Sequence, residues 1–135
     1  MQMIAEDLID MVNQRLVLLG GRAVQSGKLI FPFPKGAEAA RYDKVALKSE
    51  GTLWAFTVQR FPPKNPPFIG ENEPSNFKPY AVGYVELEGE LIVESRLAVE
   101  DFEDLKIGQM MRLTAVPFAT DANGASIFTY AFEPV

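Results

Sequence analysis

Phe61, Phe68, Phe77 and Tyr80 fall in or beside a proline-dense stretch, and Lys64 and Lys78 stand among them. Aromatic rings can stack on a flat ligand or anchor a protein contact. Ammonium groups beside such rings suit a nucleotide with its phosphates. Phe61, Lys64, Phe77, Lys78 and Tyr80 are therefore the candidate binding edge, open at this point between a small ligand and a protein partner. Other groupings carry less. Glu100, Asp101, Glu103 and Asp104 crowd together, but helical geometry would fan them around a turn. Glu86, Glu88, Glu90 and Glu94 straddle a hairpin. Both sets read as solvated acids rather than converging ligands for Mg²⁺ or Ca²⁺. Neither GxxxxGKS/T nor GxGxxG occurs, and Gly20-Gly21 alone is too little for a phosphate cradle. Nothing singles out a carboxylate pair for glycoside chemistry.

The chain has no cysteine and no histidine. Disulfides, Cys/His zinc sites and Ser–His or Cys–His nucleophilic pairs are therefore closed to it. No side chain has an unperturbed pKa near neutrality. The expectation is a chain without catalytic residues and without a metal of its own. Thirteen basic against eighteen acidic side chains leave a net charge of −5. Residues 1–50 carry +1 and residues 51–135 carry −6. Non-specific nucleic-acid affinity comes mainly from phosphate neutralisation, so this balance disfavours nucleic acid as a general partner. No run of eighteen apolar residues occurs, so no membrane span is expected. Met1–Asp10 carries acids in place of a basic leader segment, and a cytoplasmic address is expected.

The elements that would position these residues are mostly strands. Met3, Ile4, Leu8, Met11 and Val12 sit near helical spacing opposite Glu6, Asp7 and Asp10, which predicts a short amphipathic helix over 2–13. Its apolar stripe has two outlets, the chain's own domain or a partner. RLVLLGGR (15–22) and KLIFPF (28–33) read as strands joined by AVQSG, with Pro32 and Pro34 ending regular pairing. KGAEAAR (35–41) has a slight helical bias, and YDKVAL (42–47) returns to strand. From Gly51 the texture is plainly β. Thr52–Phe61 is rich in strand formers, and Trp54 and Phe56, sharing one face by alternation, are assigned to the core.

Pro62–Pro79 is a long connection holding six of the ten prolines; a loop of that length is usually functional. Tyr80–Leu87 and Leu91–Leu97 form a hairpin around Glu88-Gly89. Val99–Leu105 reads as one or two helical turns, Met110–Val116 as a strand, Asp121–Gly124 as a turn and Ile127–Glu133 as the last strand. Five strands with a helical turn between the third and fourth predict a mainly β fold, a five-stranded OB-fold barrel. The expected organisation is an N-terminal helix (1–13), a ribbon-like segment (14–50) and the barrel (51–135).

RLVLLGGRAVQSG (15–27), FPFP (31–34), GTLWAFTV (51–58), PYAVGYVEL (79–87) and DLKIGQMMRL (104–113) follow one another in an order with a known counterpart. The chain resembles, over about residues 14–135, the acyl-CoA-associated OB-fold family. There a rubredoxin-like zinc ribbon precedes the barrel. The family's first CxxC falls on Ala23 and Ser26, and its second on Ala37 and Ala40, so all four thiols are replaced and the zinc does not carry over. The ribbon would instead be held by packing through Leu18, Leu29, Ile30, Phe31 and Val45. Loss of a structural metal removes a large part of a small domain's folding energy, which contact with the barrel or a partner would have to replace.

The resemblance implies a non-catalytic accessory subunit. Its partner would be a thiolase-like enzyme, either a thiolase or a lipid-transfer-type aldolase, acting on acyl-CoA thioesters in a hetero-oligomer. The CoA thioester would be shared with that partner and not bound by this chain alone. The partner would supply the missing cysteine and histidines. The rival reading from the barrel is a single-stranded nucleic-acid binder with stacking aromatics, against which the −6 charge stands.

Overall fold

The computed structural model describes residues 8–60 and 78–135, together with the backbone of Gln2–Met3. The strands, in chain order, are β1 (Gln2–Met3), β2 (Ile9–Val12), β3 (Arg15–Ala23), β4 (Leu29–Ile30), β5 (Tyr42–Ala46), β6 (Glu50–Gln59), β7 (Tyr80–Leu87), β8 (Leu91–Leu97), β9 (Met110–Thr120) and β10 (Ser126–Pro134).

Strands β6 to β10 close on themselves. β6 pairs with β7, β7 with β8, and β8 runs parallel to β10. β10 returns antiparallel to β9, and β9 pairs with β6. This is the closed five-stranded OB-fold barrel expected from the strand order. One strand, β6, must serve both neighbours. Its first residues, Glu50–Thr52, pair with β9, and Thr52–Gln59 pair with β7. The bend that allows this uses two devices. A bulge between Leu53 and Ala55 inserts Trp54 as an extra residue. Glycines also permit close backbone approach: a Cβ on Gly51 would sit 2.5 Å from the Glu86 carbonyl oxygen, and one on Gly83 2.6 Å from that of Ala55.

Alternation on each strand fills the interior. Leu53, Val85, Leu87, Val93, Met111 and Phe132 are almost completely buried. Between the third and fourth barrel strands lies a single 3-10 turn, Phe102–Asp104, capped by the Asp101 carboxylate, which accepts from the Glu103 N–H at 2.9 Å. The expected one or two turns over 99–105 shrink to this because Val99, Phe102 and Leu105 all pack on the core at a spacing of three.

The N-terminal residues form a second sheet around β3. Leu19 donates its N–H to Leu8 and accepts from the Phe33 N–H, so β2 and then β4 lie along one edge. The Leu18 carbonyl accepts from the Leu47 N–H on the other edge, beside β5. The helix expected over 2–13 is corrected here. Gln2–Met3 pair with β10, and Ile9–Val12 pair with Arg15–Leu18 in a hairpin. The turn is Asn13-Gln14, with φ of +50° and +65°. Two successive positive φ angles give a turn whose twist suits a two-residue hairpin. A helix that short is marginal in water, and the exposed edge of β3 captures the segment instead. KLIFPF is strand only over Leu29–Ile30.

The two sheets share one core. Ile9, Leu18 and Leu47 are buried with the barrel residues, and Leu29, Phe31 and Val45 pack against them. Phe31 meets Tyr130 edge-on at 5.6 Å. Lys48 donates its backbone N–H to the Glu90 carboxylate and its Nζ to the Glu88 carbonyl, both at 2.7 Å, which ties the sheet junction to the β7–β8 turn. Among the described residues no helix is long and apolar enough to cross a membrane.

Candidate functional site

A cleft of about 270 Å³ opens at the end of the barrel where β7 begins and β8 ends. Its walls include Tyr80, Arg96, Val99, Phe102 and Pro117. Alternation on β8 turns Val93, Ser95 and Leu97 inward, so Arg96 faces out. Val82 is the cross-strand partner of Arg96, and Tyr80 is the next residue on that face of β7. The Arg96 guanidinium carbon lies 3.8 Å from the Tyr80 ring centroid and 5.1 Å from that of Phe118. Both distances are within cation–π range. Burial pulls the Arg96 pKa below the ordinary arginine value, opposed in part by the charge interaction with Tyr80. The group stays cationic at any ordinary pH. Arg60, the residue after β6, places its guanidinium carbon 5.8 Å from the Phe102 ring. Glu100 is the acid in the lining.

Two of the five expected edge residues are described. Tyr80 lies in the cleft, half-buried, and Lys78 stands exposed two residues before it. Phe61, Lys64 and Phe77, like Phe68, lie outside the described residues. Sequence reasoning missed Arg96, Arg60, Phe102 and Phe118. A signal existed for Arg96: it is the only cation on a hairpin that otherwise carries Glu86, Glu88, Glu90 and Glu94. Its aromatic partners come from β7 and from β9, and only pairing brings those together. Trp54 is a correction of another kind. Assigned to the core by alternation with Phe56, it is 59% exposed, because the bulge at that residue breaks the alternation; Phe56 packs on the core.

The four positions aligned with zinc cysteines do not suit a metal. Ala23 ends β3 and Ser26 lies in the turn after it, with Ala37 and Ala40 in the 3-10 helix Gly36–Arg41. The Val24 N–H donates to the Arg41 carbonyl at 3.0 Å, so the two segments meet. Three alanines and one serine supply no thiolate or imidazole there. The cleft sets one cation, Arg96, and one carboxylate, Glu100, beside the rings of Tyr80 and Phe102. Among its described lining residues there is no neutral-pH base.

Fold and cleft together define a protein built on a closed five-stranded OB-fold barrel with a cleft at one barrel end. Residues 44–116, more than half of the chain, match the family model described as the C-terminal OB-fold domain of ChsH2, and the chain belongs to that family. Among solved structures the fold is similar to a chain of the "Ltp2-ChsH2(DUF35) aldolase", with a TM-score of 0.57 and 20% identity over 87% of this chain and 84% of that one. No curated protein matches the chain.

Proposed function

We propose that this chain is a non-catalytic accessory subunit of a thiolase-superfamily enzyme, a thiolase or a lipid-transfer-type aldolase, acting on acyl-CoA thioesters. The observation that carries the reading is the likeness, over 87% of this chain, to a chain of an assembly titled an Ltp2–ChsH2(DUF35) aldolase. A chain with no cysteine and no histidine suits the non-catalytic role in such an assembly. Its part is assembly, together with one wall for the coenzyme. Arg96 and Lys78 would face phosphates, and the Tyr80 ring would face a planar or apolar portion of CoA. In OB-folds oligonucleotides lie across the second and third strands. Here those strands are β7 and β8, whose outward residues include Glu86 and Glu94. Those carboxylates repel phosphates over the part of the face beyond Arg96, which disfavours an oligonucleotide laid along both strands.

The test is reconstitution. Alone, the chain should show no thiolase, aldolase or hydratase turnover. Co-expressed with the thiolase-superfamily subunit of its own host, it should co-elute and raise that subunit's solubility or activity. A partner equally active and soluble without the chain would sink the reading.

A further inference from the structure

Away from the cleft, the outer face of the barrel carries a strip of exposed apolar side chains centred on Trp54. The Trp54 ring, 59% exposed, meets Tyr84, 44% exposed, edge to face at 6.4 Å. Two residues beyond Tyr84 on the same face of β7 is Glu86, whose cross-strand partner is the exposed Ile92. On the other side of Trp54, Thr52 pairs with the exposed Met110, and the Met110 carbonyl accepts from the N–H of exposed Val135. The bulge that presents Trp54 is held along one edge by the turn before β9. The Leu53 carbonyl accepts from the Gly108 N–H at 2.7 Å, and the Leu53 N–H donates to the Gln109 carbonyl at 2.9 Å. The anchor is thus preorganised, which lowers the entropy cost of binding through it.

Two carboxylates flank the strip on β7 and β8. Glu94 is the cross-strand partner of Tyr84, and Glu86 that of both Thr52 and Ile92. Neither carboxylate has a cationic partner among the described residues. Arg112, which the register brings to the same region, is already engaged by Glu133 at 2.9 Å. A two-fold contact between copies of this strip would set Glu86 and Glu94 against their own counterparts, which disfavours self-association. Interface cores favour Trp, Tyr and Met with charges at the rim, and that is the composition here.

We infer that this strip is the face on which the chain docks its enzyme subunit, and that the subunit presents an apolar surface ringed by arginine and lysine. The inference rests on the accessory-subunit reading. It is tested by surface plasmon resonance between the full chain and the co-expressed thiolase-superfamily subunit of its host. The double variant Trp54→Ser, Tyr84→Ser should weaken binding at least about tenfold, since each ring has the character of a hot spot. Its melting temperature should stay near that of the wild type because both rings are exposed. A second variant, Glu86→Lys with Glu94→Lys, should weaken binding at least about tenfold at low salt, with the deficit shrinking as salt rises.

Wild-type affinity in both variants, with the complex intact, would overturn the inference and leave the accessory role standing. Failure of the wild-type chain to bind the subunit would overturn the accessory reading itself and the inference with it. Self-association of the free chain that the Trp54→Ser, Tyr84→Ser variant abolishes would mean that a second copy covers the strip, which also overturns the inference.

Discussion

The barrel and the N-terminal sheet are both β structure, but they are held by different means. Each barrel strand is paired on both edges, and its inward residues, from Leu53 on β6 to Phe132 on β10, fill one interior. The N-terminal sheet has open edges, and its residues 36–41 form a 3-10 helix with no buried side chain. Of its side chains, Ile9, Leu18 and Leu47 are fully in the core, and all three are shared with the barrel. Closure lets the barrel stabilise itself, whereas the N-terminal sheet depends on a few apolar anchors and the Lys48 hydrogen bonds. Four residues with no metal-binding side chains at the aligned cysteine positions make that dependence greater. The difference teaches that a small open sheet can be held where its central strand is stitched into a neighbouring core.

The comparison can be broken from the barrel side first. Phe132→Ala should destabilise the whole molecule by about 3–5 kcal/mol, because it empties the centre of the interior. Chemical denaturation should show both sheets lost in one transition. A loss below about 1 kcal/mol would mean that the barrel is not the stabilising unit.

A smaller effect is expected at the joint. Leu18→Ala should cost about 2–3 kcal/mol, the lower part of the range for large-to-small changes, because the N-terminal sheet can shift to close the gap. Hydrogen exchange should rise in β2–β5 and remain slow in β7 and β8. Equal acceleration in all strands would show that the two sheets form a single cooperative unit.

The smallest effect sharpens the contact between the sheets. Tyr130 packs on Phe31 and donates its hydroxyl to the Glu94 carbonyl at 3.0 Å. Burial, with the Glu94 charge second, raises the Tyr130 pKa above the usual tyrosine value. The unfolded chain then loses this proton at a lower pH than the folded one. The associated stability is complete below the ordinary tyrosine pKa and drains away as pH rises through it toward the folded value. Tyr130→Phe should cost about 1 kcal/mol at neutral pH. The difference in melting temperature between the variant and the wild type should narrow above about pH 10. A gap independent of pH would show that the hydroxyl is not held as described.

Legibility in the sequence followed how local each signal was. β7 and β8 were readable to the residue because alternation and the Glu88-Gly89 turn agree. The hairpin at Asn13-Gln14 was not, because Met3, Ile4, Leu8, Met11 and Val12 also fit helical spacing and Gln14 is a weak turn signal. Of the candidate site, Tyr80 was found from its place beside the proline stretch. Arg96 was passed over because its environment comes from residues far away in the chain.

The sequence by itself determined three things: the exclusion of cysteine and histidine chemistry, the mainly β content, and the strand order of the barrel. These depend on residue types and on alternation along one strand, which need no knowledge of neighbours. Tertiary structure alone decided that Ile9–Val12 is strand, since the edge of β3 offers hydrogen bonds that outweigh a short helix. It also decided that Trp54 faces out, since a bulge reverses the face of every residue on one side of it. And it decided that Arg96, Tyr80 and Phe118 meet, because register and closure set distances between residues the chain itself keeps far apart.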